Sequence, residues 1–400
     1  MSRKFILFWL YLFFAAVTVK YLFNLHHAAE ICNGWVIGDW LINYSAGFVR
    51  RGLSGWLMLH LSGWLGLKLN FTVTLIQSVL ALTCLSLFLA LLQKKELNLW
   101  FLIGMVSPAT LLFPIWDWLG SGRKEIILFT LFAAYLFCLN WGLLKDRRVA
   151  GLFVLGSVVA TFFHELFFFY TPYFVLAAWL KAKVERNSFS LFPSCLMVAG
   201  AFLALIPLAL FGSKINGEAI GADLVARGLS PNICNGVLSF NLGPSDVILW
   251  AKTYDYGWLY GITLVLSLLP FCIMTRTFPL PGVSPRRAGT AILLLFLFSA
   301  PLFLVAVDWG RWIHIHCLLL LFTATFLLKE QTPEAAAEAR LQIPRLWNAR
   351  TQWSERGSHL VFGGLVFCYI AGWCLPICGT LNTHTMKIYS LLYEMVSRLL

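Results

Sequence analysis

Charge is scarce in this chain. Only 12% of its 400 residues are Asp, Glu, Lys or Arg, while 60% are hydrophobic. Soluble domains carry about a quarter charged residues. The composition therefore excludes a water-exposed globule, and lipid must be the solvent for most of the surface. Several other features are missing. No basic-aromatic motif accompanies the net charge of +12, so nucleic acid is rejected as a partner. No internal repeat is present, which disfavours a repeat-built transporter. The first apolar run lacks a small-x-small cleavage site and is long for a signal peptide, so it reads as a retained helix. The ten cysteines form no paired CxxC motifs, and the lone CxxxC of Cys374 and Cys378 argues against a metal site there. Most of the others (Cys84, Cys138, Cys195, Cys272, Cys317, Cys368) lie in apolar runs as small hydrophobes. Cys32 and Cys234 fall in two long polar segments and could pair on an oxidising side of the membrane.

Long apolar runs dominate what is present. A spanning helix needs roughly 20 such residues, and about eleven stretches qualify, some of them short. The sequence predicts an all-α, polytopic transmembrane bundle over 1–400 as a single domain. The expected spans are residues 5–24, 71–93, 99–116, 126–144, two short or kinked helices within 149–180, then 192–212, 257–275, 289–307, 313–328 and 359–378. Basic residues at 145–148 and at Lys181, Lys183 and Arg186 flank 149–180 on both ends, which makes that stretch a hairpin. The positive excess collects in the segments assigned to the inner side, as topology bias requires. The N-terminus is then cytoplasmic. Residues 25–70 and 213–256 form long outer loops, and 329–358 forms an inner loop whose EAAAEAR reads as a surface helix.

Under this topology four polar clusters face outward. Residues 38–57 hold Asp39, Arg50 and Arg51. Phe48, Leu53, Trp56 and Leu57 recur there at helical intervals, predicting an amphipathic interfacial helix. The arginines are either snorkelling anchors or ligand contacts. Residues 116–125 bring Asp117, Arg123, Lys124 and Glu125 together, either as a self-neutralising loop or as part of a site. His164 and Glu165 interrupt an aromatic run. Charge at membrane depth costs roughly 2.5–3.5 kcal/mol, so such residues are functional candidates by default, with a structural His164–Glu165 pair as the alternative. Asp308 and Arg311 are spaced to pair on one helical face. His314 and His316 do not share a face, which disfavours a metal pair. A group of carboxylates and cations at one membrane face suits a phosphate ligand. Arginine grips phosphate oxygens bidentately, and a nearby carboxylate can take a proton from an attacking hydroxyl.

The first helix, the long outer loop with an early acid (Asp39), the amphipathic helix in that loop and the further outer acids resemble the GT-C superfamily of polytopic glycosyltransferases. The outer arginines Arg50, Arg51 and Arg311 more loosely resemble O-antigen polymerase-type proteins of the bacterial envelope. The resemblance implies transfer of a sugar or glycan from a polyprenyl-phosphate or diphosphate carrier to an acceptor hydroxyl, at the periplasmic face of a bacterial inner membrane. In that family an early-loop carboxylate is the catalytic base or binds the metal, which makes Asp39 the expected general base; Glu165 and Asp308, the further carboxylates of the expected catalytic set, would position the acceptor or support the arginines. Arg50, Arg51, Arg123, Lys124 and Arg311 would bind the phosphate, with Asp117 and His164 in support. The family's D-x-D or E-x-D form is absent, since Ile37 and Leu41 flank Asp39, and a divalent cation is left open. Partners would be the lipid-linked donor and membrane lipids. The reading from another class is a transporter or flippase of an anionic lipid or solute, which would need polar residues along a path through the bilayer.

Overall fold

The computed structural model describes residues 3–378 except 94, 186–189, 213–214, 241, 278–282, 329 and 331–354. The expected surface helix in 329–358 therefore lies largely outside the described residues. The chain is all-helical. Among the described residues the only extended pairings are two isolated bridges, Gly34 with Gly236 and Lys95 with Glu330.

Among the described residues five helices are long and apolar enough to cross a membrane: Leu7–Glu30, Leu69–Leu92, Leu191–Phe211, Tyr256–Arg276 and Pro285–Val305. They lie in α1 (Arg3–Glu30), α4 (Leu69–Leu92), α11 (Leu191–Phe211), α14 (Tyr256–Thr277) and α15 (Pro285–Val305). All five were legible as apolar runs, although α1 continues six residues beyond its expected end. The first long polar segment folds into α2 (Gly38–Leu41) and α3 (Gly52–Leu65), and α3 exposes Trp56, Leu57 and Trp64.

One expected span does not form. Residues 99–116 give only α5 (Leu99–Met105) and the short α6 (Phe113–Trp116). Pro108 lacks an amide donor and disfavours helix in the residue before it. Thr110 then takes up the carbonyls of Gly104 and Met105 through its hydroxyl, at 2.6 and 2.9 Å. The hairpin of 149–180 resolves into α8 (Arg147–Phe163), α9 (Leu166–Tyr170) and α10 (Pro172–Glu185), broken at His164 and Glu165. In the chain α7 (Glu125–Asn140) precedes α8, and the second long polar segment carries α12 (Gly217–Ala226) and α13 (Pro244–Thr253).

The centre of the bundle is α16 (Trp309–Ala324), in which every residue from Gly310 to Ala324 is buried. A helix buried on all sides needs neighbours on all sides, and α16 packs against α5, α7, α14 and α15. The last described helix is α17 (Glu355–Ala371). After it, residues 372–378 return to α16: Gly310 N–H donates to Ile377 at 3.1 Å, and Tyr260 donates to the Pro376 carbonyl at 3.3 Å.

The two long polar segments, 25–70 and 213–256, are fastened to each other. The Val237 amide donates to the Gly34 carbonyl at 3.3 Å. A Cβ on Gly34 would lie 2.5 Å from the Asn235 carbonyl oxygen, and one on Gly236 would lie 2.3 Å from the Gly34 backbone. Only glycine permits that approach.

Candidate functional site

The end of α1, the start of α7, the break between α8 and α9 and the start of α16 meet at one end of the bundle. The opposite end carries Arg147 and Arg148 at the start of α8, Lys181 and Lys183 near the end of α10, Arg276, and Arg286 and Arg287.

The loop before α7 is held by polar side chains embedded in apolar helices. The Asn24 amide of α1 donates to the Pro114 carbonyl at 3.0 Å and to Ser121 at 3.1 Å. The Gly122 carbonyl accepts from the Trp40 indole and from Gln77, each at 2.7 Å, and its amide donates to the Tyr21 hydroxyl at 2.8 Å. Gly122 has φ of +69°, and a Cβ there would sit 2.3 Å from Leu25. The clamp aims Arg123, Lys124 and Glu125 inward, where all three are buried.

These residues do not neutralise one another within their loop. Each finds a distant partner. Lys124 Nζ is 3.8 Å from Asp39 Oδ1, with both side chains out of reach of solvent. Arg123 Nη2 is 3.8 Å from Asp308 Oδ2. Glu125 accepts from Arg311, which also donates to Asp308. Asp117 instead accepts the Ile377 amide at 3.0 Å. Beside them, Arg51 grips Glu165 with two nitrogens, Nη2 to Oε1 at 2.6 Å and Nε to Oε2 at 2.9 Å. His164 Nδ1 accepts from the Leu166 amide at 3.1 Å and stands 3.5 Å from Glu165.

The result is one network of four cations (Arg51, Arg123, Lys124, Arg311) and four carboxylates (Asp39, Glu125, Glu165, Asp308). Buried charge is tolerable only when paired. Burial acts on Asp39 to raise its pKa, yet Lys124, then Arg123, outweigh it and hold the carboxyl well below its usual range. Burial pushes the Lys124 ammonium down to about 8 against the pull of Asp39. Glu165 is held at about 2 because Arg51 overrides the effect of burial. Asp117 is raised, by burial first.

The pairing leaves loose ends. Both Asp39 oxygens, Arg123 Nε, Arg311 Nε and His164 Nε2 are buried without a hydrogen bond among the described residues. Buried polar atoms are normally satisfied, so these mark the part of the network that is unfinished. Arg51 also sits at φ of +66°, a left-handed conformation costing roughly 1–3 kcal/mol for a residue with a Cβ. Its carbonyl faces Lys124 Nζ at 3.5 Å.

Beneath the network lies a cavity of about 70 Å³ between α1, α4, α7 and α16. Arg123, Glu125 and Arg311 border it, and Leu85, Phe129, Ile315, Leu318 and Phe322 make its walls apolar. Of the residues expected from sequence, Asp39, Arg51, Arg123, Lys124, His164, Glu165, Asp308 and Arg311 share this end of the bundle. Of the carboxylates Asp39 lies deepest, at 1% exposure, while Glu165 and Asp308 reach 19% and 18%. Arg50 is exposed and forms no ion pair among the described residues. His314 and His316 point to different partners, the Ala109 carbonyl at 3.0 Å and the hydroxyls of Tyr173 and Ser299 at 2.8 and 2.7 Å. Among the described residues no three His, Cys, Asp or Glu side chains group as metal ligands. Cys32 and Cys234 carry free thiols.

Sequence reasoning did not assign Glu125 a role in the site, nor Tyr21, Asn24, Trp40 and Gln77 as the clamp. Asn24 and Gln77 had a signal, since a polar residue inside an apolar run needs a partner. No protein-family model, no curated protein and no solved structure matches this chain.

Proposed function

We propose that the chain is a membrane glycosyltransferase of GT-C type, acting at the face opposite its basic loops on a sugar or glycan carried by a polyprenyl phosphate or diphosphate. The observation that supports this reading is the unfinished ion network, with its unpaired guanidinium and carboxylate atoms, set on top of an apolar cavity. A phosphate joined to a hydrocarbon tail needs both environments in that order. Dry apolar walls suit the start of the tail, and preorganised cations stabilise charge growing on the leaving phosphate.

The network is neutral by itself, so the incoming phosphate needs a further cation. Arg50, exposed beside Arg51, is that first contact. Arg123 and Arg311 then offer their unpaired Nε atoms. Asp308 is the carboxylate best placed to accept a proton from the acceptor hydroxyl: it is partly exposed, and its Oδ2 is steadied by Arg311. Asp39, buried against Lys124, holds the cations in place and is the second candidate for the base.

Crossings by α7, α16 and the α8–α10 hairpin, an interfacial seat for α3, and a bacterial inner membrane with the N-terminus in the cytoplasm all belong to this reading. Joining of lipid-linked repeats is the same chemistry with another acceptor. A transporter is less well supported, because the cavity ends among Cys84, Leu318 and Phe322 rather than along polar groups.

The test is transfer of a labelled sugar from a polyprenyl-diphosphate donor in proteoliposomes. Asp308→Asn and Asp39→Asn should each abolish transfer while keeping the wild-type elution profile. Transfer at the wild-type rate in both variants would remove these carboxylates from the chemistry.

A further inference from the structure

A second concave surface lies away from the ion network, between α10, α11 and α15. It is a groove of about 370 Å³ lined by Val175, Leu176 and Trp179 of α10, Leu191 of α11, and Arg287, Thr290, Ala291 and Leu294 of α15. The four α15 residues are spaced i, i+3, i+4 and i+7, which puts them in one stripe along the helix. The stripe has a gradient. Arg287 lies in the first turn of α15, beside Arg286, and the wall becomes wholly apolar by Leu294, one helical segment further in. On the opposite wall α10 runs the other way, so Trp179 and then Lys181 and Lys183 approach the same basic end.

Neither Arg286 nor Arg287 makes an ion pair among the described residues, and both are exposed. The nearest helical N-terminus, that of α15, adds its own positive end to theirs. A guanidinium with no carboxylate partner among the described residues, at the mouth of a groove with hydrocarbon walls, matches one kind of occupant.

We propose that this groove binds one anionic phospholipid of the surrounding bilayer. Its phosphate would pair with Arg287, one acyl chain would lie on Leu176, Leu191, Ala291 and Leu294, and the glycerol region would sit at Trp179. Basic pockets between helices at a membrane surface favour anionic headgroups, and arginine engages phosphate oxygens in pairs. A choline headgroup would bring a further cation toward Arg286, Arg287 and Lys183, so the site discriminates by charge. The proposal does not rest on the enzymatic reading, because none of these residues touches the ion network.

The experiment is native mass spectrometry of the full chain in detergent, titrated with phosphatidylglycerol or with phosphatidylcholine of identical chains. The wild-type protein should retain one phosphatidylglycerol preferentially. Arg287→Ala should lower that retention about fivefold, the scale of one surface cation. Ala291→Trp, which fills the groove with the cations intact, should also lose the adduct. Equal retention of the two lipids, or unchanged phosphatidylglycerol retention in both variants, would mean ordinary annular lipid and overturn the site. A thermal transition measured on each variant separates loss of lipid from loss of fold.

Discussion

Lys124 and Asp39 face each other at 3.8 Å in a place that water does not reach, and neither Asp39 oxygen accepts a hydrogen bond among the described residues. Their attraction is therefore Coulombic, and it is what makes either charge tolerable there. Lys124→Met should cost about 3–5 kcal/mol, the scale for leaving a buried charge uncompensated. Adding Asp39→Asn should recover much of that loss. Thermal unfolding of the two single variants and the double variant checks this, and simple additivity would contradict the pairing.

Glu165 predicts a pH dependence. Its folded pKa of about 2 lies below its ordinary value of 4.5. A depressed carboxyl stabilises the fold above its unfolded pKa and loses that contribution as pH falls through the folded value. Glu165→Gln should thus be less stable than wild type near neutrality, by about 1–3 kcal/mol. The gap should close between pH 4.5 and 2. Melting curves across that range decide it, and a constant gap would show that Arg51 does not hold the carboxylate.

Gly122 should not tolerate a side chain. Gly122→Ala meets both a left-handed φ and the Leu25 side chain at 2.3 Å. Strain of about 1–3 kcal/mol would be relieved by moving the loop that carries Arg123, Lys124 and Glu125. Transfer should fall further than stability does. Equal activity in the variant would show that the loop position is not critical.

Arg50 and Arg51 should separate despite being adjacent. Arg50→Ala removes an exposed cation and should raise the KM for the lipid-linked donor with little change in kcat, the signature of lost ground-state binding. Arg51→Ala removes the partner of Glu165 and should lower stability as well. Matching steady-state and melting profiles for the two variants would overturn the distinction.

The hairpin of 149–180 was readable because its basic flanks and its His164–Glu165 interruption are local features. The Asp308–Arg311 pair was readable for the same reason, as a spacing of three on one helix. The expected span at 99–116 failed because apolar composition does not register where Pro108 and Thr110 end a helix. The loop at 117–125 looked able to neutralise itself, and it does not, because the clamp of Tyr21, Asn24, Trp40 and Gln77 turns its charges toward residues far away in the chain.

Amino-acid sequence alone determined that the chain is helical, that several of its helices are long and apolar enough to cross a membrane, and which few charged residues stand among apolar runs. These follow from composition and from the backbone's need to satisfy its own hydrogen bonds in hydrocarbon. Only the tertiary structure decided which charge meets which. Ion pairing depends on distances of a few ångströms between side chains separated by up to some two hundred residues, and no local pattern encodes those distances. Burial then separated Asp39 from Glu165 and Asp308, three carboxylates that look alike in the sequence and differ in their access to water.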